Sequence, residues 1–355
     1  MDHAARRGRL ASRLDDLEAE AFLVTRLPNV RYLTGFTGSN GQLVLTKSDG
    51  IFLTDSRYME QARHEVPDLR REKYSGDIAP PAARACRELE ADRVAFEAAG
   101  VTYKLYTDLV ATGLDVLPTT DEVENLRRIK DPEELRSIEA AQGIADEAFE
   151  VITGKLSEGV TEKEVAFELD STMRRLGADA LAFPTILAFG ENSAEPHHRP
   201  TDRPLGRGDL VKMDFGCVLN GYLSDMTRTL AFGEPGARLR ELYEIVQAAQ
   251  KLGVDSARPG LSTGELDGLV RGVIVDAGYG DHFGHGLGHG VGLEIHESPW
   301  LRPGGGETLE AGSVVTVEPG VYLEGVGGIR IEDMVALTPE GCRVLPGTTK
   351  ELLVL

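Results

Sequence analysis

The sequence predicts an α+β protein of two domains: a small α/β unit over residues 1–125 and a larger domain over residues 126–355. Three observations carry this reading. Before residue 120, short apolar strands alternate with helical stretches, as in a layered α/β unit. After residue 130, capped helix starts open amphipathic stretches. Between those helices lie blocks of alternating apolar and polar residues that read as antiparallel strand.

In the first domain, residues 10–17 carry helical spacing, and apolar strands follow at 22–24, 43–45 and 51–53. Helical stretches near 58–64 and 82–89 precede a strand at 94–96. A charged segment, 122–130, then leads into Asp131-Pro132-Glu133-Glu134. Asp131 suits the N-cap and Pro132 the first helical position, where a missing N–H costs nothing; Glu134 stands third after the cap. Thr161-x-x-Glu164 and Ser262-x-x-Glu265 repeat this pattern, so helices are expected near 132–152, 161–176, 238–256 and 263–277.

At 355 residues each domain has ample core, and 41% hydrophobic with 27% charged content is that of a soluble globular chain. The formal charge of −20 removes nucleic acid from the expected partners, because no basic stripe is available to displace phosphate counterions. Cys86, Cys217 and Cys342 are far apart and in no paired spacing, which fits a reduced compartment. The first residues are charged throughout, and no apolar run approaches the ~20 residues of a membrane span. A cytoplasmic protein without membrane association is expected.

Five residues carry the chemistry: Asp214, Asp225, His289, Glu318 and Glu332. Asn220-Gly221 is a strong hairpin signal. A two-residue turn there sets Asp225 opposite Gly216 and Asp214 opposite Thr227, so the two aspartates share a sheet face as diagonal neighbours. Such neighbours are roughly 7–8 Å apart at Cα, which suits metals about 3.5–4 Å apart. Alone, the hairpin also reads as a half-exposed polar face. Glu318 ends the apolar strand at 313–317, and Glu332 shares a face with Arg330 within an otherwise apolar stretch. Buried charge of that kind needs a partner or a metal.

His282, His285, His289 and His296 place half of the eight histidines within one Gly-rich segment. Gly284, Gly286, Gly288 and Gly290 exclude a stable helix there, so the His285–His289 spacing is not a helical zinc motif. One imidazole is expected as a ligand, with others available to substrate or to protons. Four carboxylates in one pocket repel unless cations lie between them. Two divalent cations would balance them.

MDFG, SDMTRT, GHGLGHGVGLEIHE, TVEPGVY and GIRIED, in this order and spacing, resemble the metallopeptidase family of methionine aminopeptidase, aminopeptidase P and prolidase. NVRYLTGFTGS resembles the creatinase-type N-terminal domain of its Xaa-Pro peptidases. The resemblance implies a pita-bread catalytic domain and a homodimer. It implies Asp214, Asp225, His289, Glu318 and Glu332 as ligands of two divalent ions, Mn²⁺ first and Co²⁺ or Zn²⁺ as alternatives. It further implies a metal-bridging hydroxide that attacks the Xaa-Pro carbonyl, with Glu318 moving the proton and His296 or His197 steadying the oxyanion. His197 or its neighbour His198 matches a substrate-side histidine. His285 and His296 match histidines near the scissile bond, and Arg330 the base beside Glu332.

Within the family, prolidases capture the free carboxylate of a dipeptide with an Arg that follows His-Glu-x-Pro. Here Trp300 occupies that place, after His296-Glu297-Ser298-Pro299. A Trp walls a pocket against a proline ring but cannot pair with a carboxylate. Asp55, Arg57 and Tyr58 resemble the substrate-binding Asp-x-Arg-Tyr of small aminopeptidases P. The expectation is therefore an Xaa-Pro aminopeptidase acting on peptides with proline second. Prolidase is the alternative, with Arg302 as a substitute clamp, and a metal-free peptide-binding module on the same fold is the remote one.

Overall fold

The computed structural model describes all 355 residues, which divide into two compact units, Met1–Arg127 and Arg128–Leu355. The first unit is built on a six-stranded mixed sheet. Its strands lie in the order Arg70–Lys73, Gly50–Thr54, Gln42–Leu45, Ala21–Val24, Arg93–Glu97, Asp115–Thr119. The central three pair antiparallel and the outer ones parallel. Leu23, Val44, Leu53 and Phe96 from the sheet bury against Ala82 and Cys86 of the helix Ala79–Glu88.

The first unit also holds strands at Arg70–Lys73 and Asp115–Thr119 and helices at Tyr103–Ala111 and Glu122–Arg127 that the sequence reading did not place, and two further local features differ from it. The first helix spans His3–Ser12 rather than 10–17, because the Asp2 carboxylate caps Ala5 N–H and starts it earlier. A helix at Leu27–Thr34 was not anticipated. Pro28 in its first turn and Gly35, left-handed at its end (φ 81°), are its start and stop signals.

In the second unit, helices Pro132–Thr153, Glu162–Arg175 and Thr263–Asp276 each open with a complete capping box, at Asp131, Thr161 and Ser262. The first two cover one face of the strands Ile186–Phe189, Asp209–Phe215 and Met226–Phe232, where Val211, Met213, Phe215 and Leu230 are buried. The helices Ala237–Ser256 and Thr263–Asp276 cover a five-stranded sheet that contains Gly288–Gly290, Val314–Val317 and Asp333–Thr338. Each helix pair thus backs one sheet, and the uncovered faces are left to carry polar groups. Between the sheets, Thr227 O accepts from Glu332 N–H at 3.1 Å and Thr229 Oγ1 donates to Arg330 O at 2.9 Å. These bonds hold the Gly327–Arg330 strand and Glu332 along the hairpin. No helix is long and apolar enough to cross a membrane.

Candidate metal centre

The hairpin has the register read from the sequence. Asp214 pairs with Thr227, Val218 with Leu223 and Leu219 with Tyr222, and Asn220 and Gly221 turn the chain with φ of 52° and 82°. Gly216 is where the strands close on each other: a Cβ there would stand 1.9 Å from Ser224 O. That approach brings Asp225 onto the face that carries Asp214.

His289 comes from the Gly-rich strand of the opposite sheet, where a Cβ on Gly288 would meet Thr316 O at 2.1 Å. Its N–H donates to Thr316 Oγ1 and its Nδ1 to Gly290 O, both at 3.0 Å. Nδ1 therefore holds the proton, and Nε2 presents a lone pair. That lone pair lies 3.6 Å from Asp225 Oδ2 and 3.4 Å from Glu318 Oε1. Asp225, His289 and Glu332 each offer a ligand atom within 4.8 Å of the others. Thr227 Oγ1 donates to Glu332 Oε2 at 2.6 Å and orients it. Arg330 pairs with one oxygen of Asp214, while the other, Oδ1, is buried without a partner.

The cluster is acceptor facing acceptor. Burial, and then the Glu332, Asp214 and Glu318 charges, push Asp225 well above the carboxylate range. Burial and the Glu318 and Asp214 charges do the same to Glu332. Burial raises Glu318 to about 7 and lowers His289 to about 3. Buried oxygens and an imidazole lone pair converging with no donor among them fit a hard or borderline divalent cation.

The profile of metallopeptidase family M24 matches residues 136–339, and that of the creatinase/prolidase N-terminal domain matches residues 6–129. The chain belongs to metallopeptidase family M24. It is similar to the uncharacterised peptidase YqhT of Bacillus subtilis, 41% identical over 98% of this chain and 99% of the relative. Among solved structures it resembles the Xaa-Pro dipeptidase from Bacillus anthracis, with a TM-score of 0.97, 40% identity and full coverage of both chains. It also resembles the X-Pro aminopeptidase from Thermotoga maritima, with a TM-score of 0.89 and 36% identity over 97% of this chain and 100% of that one. The second unit thus has the pita-bread fold of the M24 peptidases, and the residues before it match a creatinase-type N-terminal domain.

Around the M24 centre lies a cavity of ≈ 810 Å³ that includes all five residues together with His197, His285, His296, Trp300 and Arg330. Its size suits a short peptide. His198 and His197 are now distinguishable. Both ring nitrogens of His198 are engaged, with Glu162 at 2.9 Å and Glu195 at 2.7 Å, whereas the exposed His197 ring has no such partner and lines the cavity. His285 donates from Nδ1 to Gly286 O and accepts from Tyr322 Oη at 2.9 Å, and Arg330 Nη1 donates to the same Oη at 2.8 Å. Burial lowers His285 to about 4, so it stays neutral. His296 packs its ring edge-on against His289 at 4.3 Å, with Trp300 6.3 Å beyond it.

Asp55, Arg57 and Tyr58 form a separate cluster in the first unit. Asp55 accepts from Arg57 and Asn40, which hold its carboxyl below the usual range, and the Arg57 guanidinium lies 5.2 Å from the Tyr58 ring.

Sequence reasoning missed Tyr322, Lys212, Arg199 and Glu162. Tyr322 stands four residues after Glu318, and Lys212 two before Asp214 on the same strand face, so strand alternation offered a signal for Lys212. Glu162 gave none beyond its place in a helix's first turn.

Proposed function

We propose that this chain is a metal-dependent Xaa-Pro peptidase whose five converging residues hold two divalent ions, Mn²⁺ before Co²⁺ or Zn²⁺. The observation that carries the reading is the cluster of acceptors: four carboxylates and the His289 lone pair, with Asp214 Oδ1 buried and unpartnered. When bound, such ions lower the pKa of water and polarise a carbonyl. The chain's own groups do the rest. Glu318, on the wall of the cavity beside the His289 lone pair, takes and returns the proton. His197 and His296, on the cavity wall, donate to the carbonyl oxygen as charge develops there. The Arg330–Tyr322–His285 chain holds Asp214 in place.

We infer the dipeptidase form ahead of the aminopeptidase form that Trp300 suggests. Arg199 and Arg302 both line the cavity, and neither guanidinium has an ion pair or hydrogen bond within the chain. In a chain of net charge −20, two unpaired arginines beside one cavity suit the free carboxylate of a dipeptide. The name of the Bacillus anthracis relative agrees. The aminopeptidase reading is supported by the 39% exposed Trp300 as a wall for a proline ring in a longer peptide, by the Asp55, Arg57 and Tyr58 motif and by the name of the Thermotoga maritima relative. Under either form, Asp55, Arg57 and Tyr58 are held ready for a peptide, and a homodimer is the expected assembly.

Rates on Ala-Pro and on Ala-Pro-Ala with Mn²⁺ present test the choice. Preference for the dipeptide supports the reading, and efficient release of alanine from the tripeptide overturns it in favour of the aminopeptidase.

A further inference from the structure

Lys212 is fully buried in the Asp209–Phe215 strand, on the face that carries Asp214. It has no carboxylate partner. Its Nζ donates to Ser193 O at 2.8 Å and to Glu195 O at 2.6 Å, and stands 5.1 Å from the centre of the Tyr322 ring. Removing a lysine head from water is costly, and two main-chain carbonyls are modest compensation. A methionine would fill the same space without that cost, so the lysine has a task that packing does not explain.

The two carbonyls show what the task is. They belong to the turn Gly190–Ala194 and the residue after it, which lead directly into Pro196 and His197. The segment is pinned at several other points. Glu162 accepts from Phe189 N–H, Asn192 Nδ2 and Thr201 N–H, and so ties both ends of the loop to a helix start. Ser193 Oγ accepts from Gly328 N–H at 2.8 Å, and Arg330 Nη1 donates to Pro196 O at 3.3 Å. Lys212 is the side chain that joins the middle of this loop to the strand that supplies Asp214. Its Nζ carries N–H donors in either protonation state, so the clamp does not depend on charge.

We propose that Lys212 is a positioning residue that fixes the loop at 193–196 against the Asp214 strand and thereby sets His197 relative to the carboxylates. It touches no substrate and acts through the main chain of its neighbours. The step from clamp to catalysis rests on the role given to His197 above; the clamp itself does not.

The experiment uses the full-length, metal-loaded protein and Lys212→Met. By hydrogen exchange, amides at 190–198 should exchange about tenfold faster or more while those at 209–232 stay as they are, because only the loop loses an anchor. Unchanged exchange at 190–198 overturns the proposal, whether or not Xaa-Pro peptides are substrates. In kinetics, Lys212→Met should lower kcat on Ala-Pro by roughly 10–100-fold with metal content and KM little changed. Introduced into His197→Ala, it should add less than about twofold, since residues acting as one unit are not additive. Full multiplication of the two effects overturns the link to His197. If the methionine variant does not fold, Lys212→Gln, which keeps an N–H donor but is too short to hold both carbonyls, should speed exchange at 190–198 in milder form, and wild-type exchange there overturns the proposal. A wild-type protein inert on Ala-Pro sinks the functional reading and leaves the exchange result standing.

Discussion

His289 Nε2 lies 3.4 Å from Glu318 Oε1, and the imidazole proton is on the other nitrogen, donated to Gly290 O. Two acceptors facing each other in a buried site is an arrangement that a cation relieves. Divalent metal should therefore stabilise the fold. At a hundred times its dissociation constant, a bound ion adds about 2.7 kcal/mol, and Mn²⁺ should raise the melting temperature while chelation lowers it. His289→Ala should abolish that difference, which thermal unfolding with and without chelator would read.

The metal-stripped protein should respond to pH in a defined direction. Glu318 titrates near 7 when folded, against an ordinary value of 4.5, and Asp225 and Glu332 are also raised. For these carboxylates the folded state binds more protons than the unfolded state, so their contribution is full below about 4.5 and is lost as pH rises through about 7. The lowered His289, His285 and Lys212 act in the opposite sense, the imidazoles only below about 6.5. Urea unfolding of the stripped protein from pH 6.5 to 7.5, where the imidazoles are neutral in both states, should show this decline, and loading with Mn²⁺ should remove it.

His197 and His198 are adjacent but should fail differently. His197→Ala should lower kcat by about 10²–10³, the usual cost of an oxyanion donor, and leave unfolding unchanged. His198→Ala breaks the Glu162–His198–Glu195 chain, which should lower stability by about 1–3 kcal/mol because Glu162 is buried. Paired melting curves and rates separate the two.

Arg302→Ala and Arg199→Ala should raise KM for Ala-Pro by roughly 10–100-fold, the value of a charge-assisted hydrogen bond of about 1.5–3 kcal/mol. Amidation of the Ala-Pro carboxylate should cost the wild type a similar factor and the double variant almost nothing.

Lys130 and Glu297 form an ion pair at 2.7 Å with side chains 1% and 6% exposed. It fastens the start of the second unit to the residue after His296. Lys130→Met should destabilise by about 3–5 kcal/mol, because a buried carboxylate loses its counter-charge. Urea midpoints would measure it.

Much of the candidate centre's backbone geometry was legible in the sequence, for a physical reason. Asn220-Gly221 admits two left-handed residues and pins the register, and a pleat of period two then decides that Asp214 and Asp225 share a face. Helix starts at Asp131, Thr161 and Ser262 were equally local signals. The choice between His197 and His198 was not legible, because a loop has no period from which a side-chain direction can be read. Lys212 read as one more polar residue on a strand; its meaning depends on two carbonyls of a loop some twenty residues earlier, and main-chain acceptors carry no sequence signature. Arg199 and Arg302 became informative only through what they lack, a partner, and that is a property of the packed chain.

Proline release from Ala-Pro by protein stripped of metal and then given Mn²⁺ reads whether the five residues form a working dinuclear centre. Stripped protein should release none, Mn²⁺ should restore release with the ion bound in a ratio near two per chain, and Glu332→Gln should release none. Full release by the stripped protein, or none from protein shown to have bound Mn²⁺, would contradict that reading of the five residues.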